Sequence, residues 1–182
     1  TQEHAPSYYA ATANIQSRYP QLQGDLEVDV VIVGGGFSGV ATAVELGERG
    51  YSVALLESNR IGWGASGRNG GQIIGGWGSN PSAFRSSIGS EGVAVVEKMG
   101  IECVEIIKQR IKKYAIDCDL KMGYCEVGLK SRHLKAYQQW ADTDPAIELL
   151  GRDELKNYVN SDLYLGGYYR QDWGHIHPLN LC

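Results

Sequence analysis

Three glycines at fixed spacing, Gly34-x-Gly36-x-x-Gly39, are the residues with the clearest chemistry in this chain. The first permits a tight turn off a strand. The second has no Cβ to obstruct an incoming anion, and the third lets a helix pack closely on the strand. The unpaired N–H groups and the dipole at the start of that helix then favour a diphosphate. Glu57, 18 residues beyond Gly39, offers an acceptor for the ribose hydroxyls of an adenosine. An acid there disfavours the extra phosphate of NADP but does not separate NAD from FAD, which share the adenosine diphosphate half.

A second run follows directly: Arg60-Ile-Gly-Trp-Gly-Ala-Ser-Gly-Arg-Asn-Gly-Gly-Gln72. It combines small residues, many N–H donors, a hydroxyl, a guanidinium and amides. Such a loop can track a longer stretch of cofactor past the first phosphate. A plain NAD-binding unit usually continues from its second strand into a helix, without this tract. His175 and His177 are weak candidates for acid–base work near neutrality. The blander reading is that His177 caps a helix beginning at Pro178 and that His175 packs beside it. No other catalytic residue is assigned. Cys103, Cys118, Cys125 and Cys182 lack CxxC spacing and a His at finger spacing, so no metal site is expected. They read as small buried thiols in a reducing compartment, Cys103 on a helix and Cys118 and Cys125 in strands.

These residues need elements to position them. The β-branched run 28–33 predicts a strand buried on both faces, as in a parallel sheet. Helical spacing follows to about Gly50, then a short strand over 52–56 that ends at Glu57. This is one βαβ unit with a right-handed crossover. Residues 58–80 read as a long loop, a length uncommon unless functional. A helix is predicted over 90–114, with Gly100 as the place for a bend. Residues 116–129 predict two antiparallel strands joined by a turn at Gly123. Helices over 131–141 and 153–159 and strands over 147–150 and 164–170 complete the reading. Trp63 and Trp77 flank the glycine tract and are read either as cofactor contacts or as core.

Composition sets bounds on the answer. Glycine accounts for 24 of 182 residues, about 13% against a usual ~7%. The excess is concentrated between Gly34 and Gly78, so it is a local device. The 17 basic and 21 acidic residues give a net charge of -4, which argues against a nucleic-acid partner. No apolar run is long enough for a transmembrane segment. The polar, tyrosine-dotted first 24 residues lack the apolar core of a secretory signal. The chain stops a few residues into the helix predicted at Pro178, so it is expected to be the N-terminal part of a longer protein.

The runs Asp29-Val-Val-Ile-Val-Gly-Gly-Gly-Phe-Ser-Gly39 and Leu55-Leu-Glu-Ser-Asn-Arg-Ile-Gly-Trp-Gly-Ala-Ser-Gly-Arg-Asn-Gly-Gly-Gln72 resemble the N-terminal region of FAD-dependent amine and amino-acid oxidases. This is the family of D-amino-acid oxidase, glycine oxidase and sarcosine oxidase. Ser7–Asn14, Arg110–Asp119 and Gly174–Leu181 are similar to its gamma-glutamylputrescine oxidoreductase branch.

The resemblance implies an α/β fold, a Rossmann-like FAD-binding domain followed by the start of a mixed α+β substrate domain. The expected division is 1–24 as an extension, 25–90 as the FAD-binding βαβ unit with its flavin loop, and 91–182 as the beginning of the substrate part. It also implies that Gly34, Gly36, Phe37, Ser38 and Gly39 bind the FAD diphosphate. Glu57 would hold the ribose, with Ser58 and Arg60 near that end. Ala65, Ser66, Arg68, Asn69, Gly70, Gly71 and Gln72 would line the path to the flavin ring.

The implied reaction oxidises a C–N bond of an amine or amino acid. The flavin takes hydride, the imine hydrolyses to an aldehyde or keto acid, and dioxygen or another acceptor reoxidises the flavin, oxygen giving peroxide. The substrate implied first is gamma-glutamylputrescine, in cytoplasmic putrescine breakdown. Pipecolate, glycine and D-amino acids are alternatives, as is a non-catalytic ADP- or FAD-binding module. The C-terminal remainder of the polypeptide is expected to complete the flavin and substrate sites.

Overall fold

The computed structural model describes residues 2–14, 18–78 and 80–182. Thr1 and residues 15–17 of the N-terminal extension, and Ser79 near the end of the glycine loop, lie outside the described residues. The chain divides into two compact units. The first comprises residues 1–71, 108–119 and 176–182; the second comprises 72–107 and 120–175.

In the first unit, β1 (Val30–Val33) pairs in parallel with β2 (Val53–Leu56), Val30 opposite Val53 and Val33 opposite Leu56. Asp29 and Ser52 clasp the entrance to the pair: the Asp29 carboxylate accepts from the Ser52 amide and hydroxyl at 2.8 and 2.7 Å. Between them runs α2 (Phe37–Glu48), so strand, turn, helix and strand follow in the expected order. The strand expected to be buried on both faces is not. Val31 and Val33 are 55% and 85% exposed. The reason is strand alternation: Ile32 lies against α2 beside Gly39, so Val31 and Val33 point to the opposite face of the pair, away from that helix.

The N-terminal extension carries α1 (Tyr8–Thr12), capped by the Ser7 hydroxyl, which accepts from the Ala10 amide. The unit ends with α6 (Pro178–Leu181), started by a proline whose missing N–H is no loss at that position. Leu179 of α6 fills the space that a Cβ on Gly62 or Gly67 would occupy.

The second unit is built on an antiparallel sheet. Its centre is β6 (Gly166–His175), which extends five residues past the predicted end of this strand. β4 (Lys121–Gly128) lies along one edge; β5 (Glu148–Leu150) and the two-residue β3 (Gln72–Ile73) pair with the other. The two strands expected over 116–129 are therefore one. Gly123, at φ 114°, makes a bulge where the register shifts rather than a hairpin turn. Cys118, expected in a strand, lies outside one, although it is buried; Cys103 is exposed.

The long helix α3 (Arg85–Tyr114) breaks at Gly89, not Gly100. Gly100 lies inside the helix, where a Cβ would stand 2.8 Å from the Cα of Gly76. Glycine is needed there for close backbone approach, and the Gly76 amide donates to the Gly100 carbonyl at 2.8 Å. α4 (Ser131–Ala141) matches its predicted span and packs through buried Tyr137. α5 (Arg152–Leu155) is shorter than predicted. The loop expected over 58–80 contains a 3-10 turn at Ala65–Gly67 and strand β3.

Candidate cofactor-binding site

The site is built at the carboxyl end of the parallel pair in the first unit. Gly34 leaves β1 with φ 104°, a conformation that L side chains rarely adopt, while its amide still donates to the Leu56 carbonyl at 2.8 Å. Gly36 is the N-cap of α2 and has no side chain to satisfy the helix start. The loop supplies one instead: Ser66 Oγ accepts from the Phe37 amide at 2.9 Å. A Cβ on Gly36 would stand 2.8 Å from that hydroxyl, so the bare Cα is what lets Ser66 reach the helix start. A Cβ on Gly39 would run into the Gly34 carbonyl, which fits the role of a glycine that lets helix and strand close together.

Glu57 stands at the end of β2. Its carboxylate accepts from the Gly35 amide at 2.7 Å and the Asn59 amide at 2.8 Å. Partial burial works against the charged form, but these backbone donors prevail and hold the carboxyl below its ordinary range. Ser58 lies beside it, its hydroxyl 3.4 Å from Glu57 Oε1. Ser38 sits in the first turn of α2, its carbonyl accepting from the Thr42 hydroxyl. Arg60 is directed to the N-terminal extension, with Nε 3.4 Å from the Glu3 carboxylate.

The loop organises itself through Asn69. Its amide nitrogen donates to the carbonyls of Ala65 and Ser66, and its oxygen accepts from the Gly71 amide at 2.8 Å. Arg68 lies 4.5 Å over the Trp63 ring, and Gly70 is exposed. Trp63 itself donates to the Glu3 carbonyl, and Trp77 of the second unit donates to Val96, so both indoles have structural partners. Gly71 has φ 70°, and a Cβ there would strike the Ile176 carbonyl.

The structure thus brings Gly34, Gly36, Phe37, Gly39, Glu57 and Ser66 together. Gln72 belongs to the second unit, on β3 opposite His175. His175 is exposed at the end of β6, whereas His177 is buried in the first unit and caps α6, its Nδ1 accepting from the Asn180 amide at 3.2 Å. Sequence reasoning assigned no role to Gly35. It is buried between Ile61 and Glu57 and supplies the donor that orients the carboxylate. The signal available for it was its place in the middle of three consecutive glycines.

This donor set fits an adenosine diphosphate: a side-chain-free helix start, a hydroxyl arriving from the loop, and an oriented carboxylate at the neighbouring strand end.

Comparison with known proteins decides the family. The model of the DAO family, FAD dependent oxidoreductase, matches residues 29–182. The chain belongs to this family of FAD-dependent oxidoreductases.

Within it, the chain is 38% identical over 185 residues to gamma-glutamylputrescine oxidoreductase of Escherichia coli (strain K12), covering 99% of this chain and 43% of that protein. It is 35% identical to the probable oxidoreductase OrdL of Haemophilus influenzae, covering 100% of this chain and 43% of the relative. It therefore spans less than half the length of these family members. Among solved structures, L-amino acid deaminase from Proteus myxofaciens in complex with anthranilate superposes with a TM-score of 0.68 at 25% identity, over 87% of this chain and 35% of that one. Glycine oxidase from Bacillus cereus shares the fold, with a TM-score of 0.64 at 24% identity over 85% of this chain and 41% of that one. No helix among the described residues is long and apolar enough to cross a membrane.

Proposed function

We propose that the polypeptide carrying this chain oxidises the C–N bond of an amine, with gamma-glutamylputrescine as its substrate. The supporting observation is the 38% identity to gamma-glutamylputrescine oxidoreductase over 99% of the chain. In this reading Gly34 makes the turn, Gly39 lets α2 close on β1, and the start of α2 at Gly36 with Ser66 binds the FAD diphosphate. Glu57, held as a carboxylate by the Gly35 and Asn59 amides, accepts from the adenosine ribose. Asn69 keeps the following loop in shape along the rest of the cofactor.

The group held there supplies a two-electron acceptor for the carbon that bears an unprotonated amine. The resulting imine is hydrolysed to aldehyde and ammonia, and dioxygen is the proposed final acceptor, leaving as peroxide. The remainder of the polypeptide closes the substrate pocket. The four cysteines are free thiols, which supports a reducing, cytoplasmic setting.

The experiment uses the full-length protein. It should purify yellow and release peroxide with gamma-glutamylputrescine in preference to pipecolate, glycine and D-amino acids. A protein that takes up no FAD overturns the cofactor assignment. Turnover of pipecolate without turnover of gamma-glutamylputrescine overturns the substrate.

A further inference from the structure

The second unit contains a cleft of about 500 Å³ that the reading above does not use. Its floor is one face of the sheet. Tyr124 and Glu126 of β4 lie opposite Arg170 and Tyr168 of β6 in register, so the four side chains share that face. Trp140 from α4 and Trp173 from β6 add two further aromatic walls.

Two features of the charge distribution are unusual. Arg170 is fully committed. Its Nε and one terminal nitrogen fork onto Asp172 at 2.9 and 2.7 Å, its other terminal nitrogen meets Asp144 at 2.5 Å, and its plane lies 4.1 Å over Trp173. Glu126 has no such partner: none of the ion pairs among the described residues engages it. Its carboxylate is held by phenols, accepting from Tyr124 at 2.9 Å, Tyr168 at 3.1 Å and Tyr137 at 3.4 Å. Burial and the adjacent carboxylate push Tyr124 up to about 12 and Tyr168 higher still, so these phenols remain donors. The cleft and its edge thus hold three carboxylates (Glu126, Asp144 and Asp172) against one guanidinium. The unmatched carboxylate is ringed by π faces, among them Tyr124 with Trp173 at 5.5 Å and Tyr168 with Trp140 at 6.2 Å. An ammonium on an apolar group complements that combination: the carboxylate takes its N–H donors and the rings take its charge.

We propose that this cleft is a recognition site for an alkylammonium group, held by Glu126 and by the aromatic walls of Tyr124, Tyr168, Trp140 and Trp173. The inference rests on the second unit alone and is independent of the flavin assignment.

The test titrates tert-butylammonium into the flavin-loaded full-length protein by calorimetry. This probe has no hydrogen on the carbon bearing nitrogen, so amine oxidation cannot consume it. Its neutral isostere, tert-butanol, is the control. Saturable binding of the cation, with the alcohol at least tenfold weaker, is expected. Glu126→Gln should weaken the cation by roughly tenfold or more and leave the alcohol unchanged. Because three tyrosines lean on Glu126, that variant must first match the parent in circular dichroism. If it does not fold, Trp140→Ala against Trp140→Phe decides, since Trp140 is 47% exposed and not core: the alanine variant should lose several-fold affinity and the phenylalanine variant should retain most of it. Equal affinity for cation and alcohol, or cation affinity unchanged in the folded variants, overturns the proposal. Failure of peroxide release while cation binding persists bears only on the function proposed above.

Discussion

The amide of Gly35 donates to the carboxylate of Glu57 across 2.7 Å, tying the turn after β1 to the end of β2. A residue of the glycine turn and the acid expected to meet the ribose are therefore one hydrogen-bonded unit before any ligand binds. Glu57→Gln should weaken flavin binding and lower stability at neutral pH by about 1 kcal/mol, the net value of one such hydrogen bond.

The pH dependence of that contribution has a definite sign. Glu57 is held below its ordinary value of 4.5. A depressed carboxyl stabilises the fold above its unfolded value and loses that contribution as pH falls through the folded one. The difference in melting temperature between the parent and Glu57→Gln should be constant from neutral pH to about pH 5 and shrink below it. A difference that grew on acidification would contradict the arrangement.

Gly36 and Gly39 should separate binding from folding. Gly36→Val drives a side chain into Ser66 Oγ and displaces that hydroxyl from the helix start proposed to bind the diphosphate. The variant should fold and take up FAD at least tenfold less well, equivalent to about 1.4 kcal/mol. Gly39→Ala drives a methyl into the Gly34 carbonyl and should cost about 1–3 kcal/mol of stability, as overpacking does. Flavin content measured by visible absorbance, alongside thermal unfolding, distinguishes the two. Full flavin content in Gly36→Val would remove the assigned role.

His177 has a structural task that predicts its mutational behaviour. Its Nδ1 accepts from the Asn180 amide, so in the neutral ring Nε2 carries the proton and donates to the Thr12 hydroxyl at 3.0 Å; that hydroxyl in turn donates to the Tyr8 carbonyl at 2.7 Å. His177→Ala should lose about 1 kcal/mol, the value of a helix cap, and His177→Asn should recover most of it. The pH profile of turnover should be unchanged in the asparagine variant. A lost ionisation in that profile would assign the residue to catalysis instead.

The four thiols of this chain should react unequally. Cys103 is exposed; burial raises the thiol of Cys125 and, with Glu57 nearby, pushes that of Cys182 up to about 11, while Cys118 is only 1% exposed. A maleimide should therefore label Cys103 first. Mass mapping after brief labelling checks this, and prior modification of Cys118 would contradict the packing.

Much of this protein was legible from short stretches of its chain. The run Val30–Val33, the glycines at 34, 36 and 39, and the acid at 57 specify strand, turn, helix and strand. Each signal is local: side-chain branching, a missing Cβ, a period of two or of 3.6. The span of α4 was readable for the same reason. What only the tertiary structure decided lies between residues distant in sequence. Ser66 caps a helix that starts 29 positions earlier. Gly100 is glycine because Gly76 crosses it, while the helix breaks at Gly89. β1 is apolar on both sides, yet α2 lies on the Ile32 side, and Val31 and Val33 on the opposite face are exposed. Glu126 meets its tyrosines only once β4 and β6 are in register. Periodicity records which face of an element is apolar. Which partner covers that face, and which polar group meets which, is set by how the loops close and how the strands align, and no local pattern encodes that.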